Sequence, residues 1–98
     1  MTGQEPPERL PTPEEIKNMT PGQRIFHYRS LRGYSQQTLA ARMRLIAVRY
    51  RGSGVDRRQI SRWESDMHTP DTYSRHLLAE ALEVRVKDLG LPPNPYFR

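Results

Sequence analysis

Proline constrains this chain most, because a residue that locks φ and lacks an N–H cannot sit inside a helix or a central strand. Four of the nine prolines (Pro6, Pro7, Pro11, Pro13) fall in residues 1–20, and Pro92, Pro93 and Pro95 crowd the other end. Between them stand only Pro21, directly after Thr20, and Pro70. The chain therefore divides into a Pro-rich acidic arm over 1–19, a folded domain over 20–91 and a tail over 92–98. Within the arm, Thr12-Pro13-Glu14-Glu15 places a cap, a first-turn proline and acidic residues in the order that opens a short helix. In the tail, Tyr96-Phe97 has apolar surface to dock on the domain or on a partner.

Helix signals repeat through the middle. Thr20-Pro21-Gly22-Gln23 has the capping-box pattern, and Ile25, Tyr28 and Leu31 follow the 3.6-residue period until Gly33. Ser35 opens a second helix whose apolar residues Leu39, Met43, Ile46 and Tyr50 run toward Gly52-Ser53-Gly54. Asp56 with Gln59 caps a third, over about 57–65, carrying Ile60 and Trp63 on one face. Asp71 or Thr69 caps a fourth, with Leu77, Leu78, Ala81 and Leu82 inward, and a short fifth spans Val86 to Leu89. No strand-like alternation competes. The expected fold is all-α, five short helices in one domain, with Ile25, Tyr28, Leu39, Ala40, Met43, Ile60, Trp63, Leu78 and Leu82 in its core.

Several function classes drop out. With no cysteine there is no disulfide framework and no thiolate zinc site. The longest apolar run, Leu45 to Val48, lies between Arg44 and Arg49, far short of a membrane span. Met1 to Leu10 is polar, unlike a secretory signal peptide, so the expected location is the cytoplasm, associated with the nucleoid. His27, His68 and His76 lack the spacing and companions of a metal site, and neither Ser35 nor Ser61 has a base or oxyanion hole implied nearby. A chain of 98 residues spends its apolar side chains on one core. No enzyme activity, cofactor, metal or small-molecule ligand is expected.

Charge is distributed unevenly. Residues 21–68 hold ten arginines against Asp56, Glu64 and Asp66, a net of +7, whereas residues 1–20 carry −2 and residues 69–98 balance. Fourteen of the sixteen basic residues are arginine, whose planar fork suits bidentate contact with phosphate or guanine. So concentrated a positive field attracts a polyanion.

The placed helices resemble the lambda-repressor-like helix-turn-helix family, also called the XRE or Cro-type family. Arg24-Ile25, Arg29, Arg32-Gly33-Tyr34-Ser35-Gln36 and Leu39-Ala40 are similar to its opening. Gly54-Val55-Asp56, Ile60-Ser61-Arg62-Trp63-Glu64 and Pro70 are similar to its recognition helix and the turn after it, and Ala79, Ala81-Leu82, Val84 and Leu89 to its last two helices. Two departures stand out. A stretch from Arg44 to Ser53 is inserted where the family has a short turn, and the continuing apolar steps predict an extended second helix. Asp66 and Glu83 occupy positions where the family usually has glycine, which for Glu83 costs on the order of 1 kcal/mol if the left-handed conformation is kept.

The resemblance implies that the third helix enters the major groove of double-stranded DNA. With Ile60 and Trp63 inward, Arg57, Arg58, Ser61 and Arg62 are expected on the outer face as base readers, some of the arginines holding phosphates instead. Gln36 at the start of the second helix is expected on a phosphate, and Gln59 either contacts or caps. Arg42, Arg44, Arg49 and Arg51 are expected to lay a further basic strip along the backbone. Glu64 is expected to pair with Arg24 or Arg32. The implied function is a sequence-specific transcriptional regulator, a repressor acting as a homodimer on an inverted repeat. Its dimer surface would come from the fourth and fifth helices and the tail from Leu91 to Phe97. The alternatives are a protein-interaction adaptor using the same fold and an antitoxin-type autorepressor bound to a partner protein.

Overall fold

Side-chain caps set where each helix begins. The computed structural model describes residues 10–92, which form α1 (Pro13–Lys17), α2 (Pro21–Leu31), α3 (Gln36–Arg49), α4 (Arg57–Glu64), α5 (Thr72–Leu82) and a 3₁₀ helix (Val86–Leu89). Thr12, Thr20, Ser35, Asp56 and Asp71 each accept a backbone N–H of the first turn, satisfying a donor that otherwise has no partner. Among the described residues the protein is all-helical. The last of the expected helices is a single tight 3₁₀ turn rather than α.

The helices pack around one cluster. α2 lies on α4, α3 bridges α4 and α5, and the 3₁₀ helix closes against α2 and α5. Ile25, Leu39, Met43, Ile60, Leu77, Leu78, Leu82 and Leu89 are fully enclosed, with Ala40, Ala47 and Trp63 beside them. Each large aliphatic buried this way stabilises the domain by roughly 1.5–3 kcal/mol before conformational entropy is counted. Tyr28, expected in the core, is only partly buried and packs against the cluster from outside.

The inserted stretch splits in two. α3 continues through Arg49, so Arg44 to Arg49 is helical, and Tyr50 caps the helix before Arg51 turns the chain with a positive φ. Tyr50 is not part of the apolar stripe: it is half exposed and its hydroxyl donates to Glu80 Oε1 at 2.9 Å. Leu91, offered above as dimer surface, is buried in this chain's own core. Tyr96 and Phe97 lie outside the described residues.

Gly22 marks the tightest helix contact. A Cβ there would stand 2.5 Å from the Trp63 carbonyl oxygen and 2.6 Å from that of Glu64, so only glycine lets α2 meet the end of α4. Asp66 completes the junction in a left-handed conformation (φ 62°). Its Oδ1 accepts the Gly22 N–H at 2.9 Å, and its Oδ2 accepts the Thr20 hydroxyl at 2.6 Å. The carboxylate thus caps α2 from across the fold, an interaction that offsets its backbone strain.

Candidate nucleic-acid interface

α4 is eight residues long and steps about 100° per residue, which sorts its side chains by direction. Ile60 and Trp63 are buried, and Glu64 lies on the same side. Arg58 and Arg62, one turn apart, project from the opposite side and are exposed. Among the described residues neither guanidinium makes an ion pair or a side-chain hydrogen bond. Two unpaired guanidinium forks one turn apart on one exposed helix face are suited to an anionic surface rich in acceptors.

The other two residues expected on this outer face are displaced to its flank. Ser61 is half-buried and borders a depression of about 640 Å³ against α2, together with Phe26, His27, Ser30 and Met19. Partial burial there holds the His27 imidazole below its ordinary pKa. Arg57 leans toward α3, where its Nη1 donates to Gln36 Oε1 at 3.5 Å. Gln59 takes the capping role, its Oε1 accepting the Asp56 N–H at 3.1 Å while its own N–H donates to Asp56 Oδ1.

Glu64 organises the inner side. Its carboxylate accepts from Arg29 Nε at 2.6 Å and Arg29 Nη2 at 3.0 Å, a bidentate pair whose side chains are 8% and 13% exposed. Gln36 Nε2 donates to the same carboxylate at 3.0 Å, and Arg29 Nη1 donates to the Tyr34 carbonyl at 2.8 Å. One buried carboxylate therefore ties α2, the start of α3 and the end of α4, fixing the angle at which α4 presents its outer face. The partner is Arg29, not Arg24 or Arg32. Arg24 donates instead to the backbone carbonyls of Lys17, Met19 and Asp88, and Arg32 to that of Leu82. Gln36, expected on a phosphate, has both ends of its amide engaged, which leaves its backbone N–H at the α3 terminus for that role.

The four arginines of α3 and its loop do not form one strip. Arg42 and Arg44 are two residues apart and point to nearly opposite sides of the helix. Arg42 lies over the Tyr34 ring, 4.9 Å from its centre. Arg49 pairs with Glu80 on α5, a tertiary contact that removes it from any phosphate row. Arg51 sits in the left-handed turn beyond the helix.

Sequence reasoning missed the Arg29 pair and the Asp66 cap. Each joins residues far apart in the chain, and neither has a local periodic signal. Comparison with protein-family profiles, with characterised proteins and with solved structures finds no significant match.

Proposed function

We propose that this chain binds double-stranded DNA as a helix-turn-helix protein, with α3 and α4 as the helix pair and α4 in the major groove. The observation that carries the reading is the pair Arg58 and Arg62, uncommitted on the outer face of a helix whose inner face is locked by Ile60, Trp63 and Glu64. Arginine reads guanine O6 and N7 bidentately, each such contact worth roughly 1–3 kcal/mol of discrimination, so the site contains G·C pairs. Arg57 and Ser61 act from the flank, and the backbone N–H groups at the start of α3 hold a phosphate. The lack of any acidic residue between Glu15 and Asp56 leaves α2 and α3 with only basic charges of their own, which favours a polyanionic partner.

The regulator reading follows: the protein represses by occupying an operator. As a homodimer on an inverted repeat it would place half-sites about 34 Å apart. Selection of bound duplexes from a random library tests this directly. A recovered G·C-containing motif, with Arg58→Ala weakening binding to it by about 1–3 kcal/mol, is the expected outcome. Recovery of no motif, together with unchanged binding by the variant, overturns it.

A further inference from the structure

The inserted part of α3 presents a second apolar row on the side away from the core. Leu45 is 71% exposed and Val48 is 73% exposed, three residues apart, with half-buried Ala41 one turn before Leu45. On a helix stepping about 100° per residue these three share one face, opposite Leu39, Met43 and Ala47. The row is bracketed by cations: Arg44 lies along one edge and Arg42 along the other, while Arg49, beside Arg42, is already paired with Glu80. α3 contains no acidic residue, and among the described residues neither Arg42 nor Arg44 has an acidic partner.

We infer that this face of α3 docks an acidic amphipathic helix of a partner protein, its apolar residues on Ala41, Leu45 and Val48 and its carboxylates on the flanking arginines. Charge complementarity selects the occupant. DNA offers the arginines phosphates but leaves the two aliphatic side chains facing a polar backbone. A second copy of this chain would bring its own arginines against these. Two exposed aliphatics are also a small part of the roughly 800 Å² per partner that a stable dimer interface buries. An anionic bilayer calls for a wider apolar face than one Leu and one Val supply. A single helix needs only a short row of anchors at helical spacing, with charge setting its orientation. This inference stands apart from the DNA-binding reading, since it uses neither Arg58 nor Arg62.

The test uses the whole chain and a synthetic peptide with leucines at i, i+3 and i+7 and glutamates on both sides of that row. Fluorescence anisotropy is expected to show binding that weakens at least tenfold for the Leu45→Ser/Val48→Ser double variant. A scrambled peptide of the same composition is expected to bind the wild type at least tenfold more weakly than the ordered one. Amide chemical shifts of the wild type, which need no variant, are expected to move along Ala41 to Val48. Equal binding of ordered and scrambled peptides, or retained affinity in the double variant, overturns the proposal. So does a dimer in sedimentation that the double variant converts to monomer, or Leu45-dependent binding to phosphatidylserine vesicles without binding to the peptide. Because both substituted side chains are exposed, an unchanged thermal midpoint accompanies the expected result.

Discussion

Two residues with opposite backbone demands show how little a residue's type says about its tolerance. Gly22 has an ordinary helical position, yet its missing side chain is what lets the carbonyls of Trp63 and Glu64 approach α2. Gly22→Ala should therefore cost about 1–3 kcal/mol of overpacking, more than alanine's better helix propensity returns. Urea unfolding followed by circular dichroism reads this, and an unchanged midpoint would mean that the α2–α4 contact opens without penalty. Glu83 is the converse case. It closes α5 at φ 58°, and its carboxylate reaches Arg32 only at 3.9 Å with both side chains well exposed. Since so exposed a pair contributes little, Glu83→Gly should stabilise the fold, by up to about 1 kcal/mol. A lowered midpoint would show that Glu83 does more than turn the chain.

At the scale of the element, caps and buried pairs decide which ends are firm. The 3₁₀ helix is held by Asp88, whose Oδ2 accepts the Arg85 N–H at 2.9 Å and Arg85 Nε at 3.4 Å. That backbone hydrogen bond, followed by the side-chain bond and charge of Arg85, holds the Asp88 carboxyl below the ordinary carboxylate range. A folded-state pKa below the unfolded value means that the stabilisation is present at neutral pH and is lost as pH falls through the folded pKa. Asp88→Asn should therefore lessen the drop in stability between pH 6 and pH 3, while leaving the core intact. Parallel pH profiles for variant and wild type would remove Asp88 from the acid response. The Arg29–Glu64 pair belongs to the same scale, because it joins three helices. Arg29→Met, which strands a mostly buried carboxylate, should cost about 3–5 kcal/mol in the same unfolding assay.

Over the whole molecule, the reading of α4 as a DNA-contacting helix predicts a salt response. Each phosphate neutralised adds about −0.9 to the slope of log affinity against log salt. If Arg62 holds a phosphate, Arg62→Ala should make that slope shallower by about one, with a similar loss on every sequence. If it reads a base, the loss should be confined to one position of the site. Titration of duplex DNA at several salt concentrations separates the two, and a slope near zero for the wild type would remove the phosphate contacts altogether.

Much of the architecture was legible from single residues, because caps and periodicity are local. Thr20, Ser35 and Asp56 announced three helix starts, a fourth lay open between Thr69 and Asp71 until the structure put the cap at Asp71, and the steps of Leu39, Met43 and Ile46 announced that α3 would run on into the inserted stretch. Tyr50 escaped that reasoning, since an aromatic at helical spacing can end in the core or on a neighbour's carboxylate, and Glu80 decided which. For the candidate interface, periodicity put Ile60 and Trp63 inside and so turned Arg58 and Arg62 outward. It could not say that Ser61 would fall on the α2 flank, that Arg49 would be taken by α5, or that Arg29 would hold Glu64. The sequence by itself determined where helices start and stop, which face of each is apolar and where positive charge concentrates, because these depend on residues within a few turns. Only the tertiary structure decided which arginines remain free, because that depends on which distant carboxylates and carbonyls the packing brings within hydrogen-bonding reach.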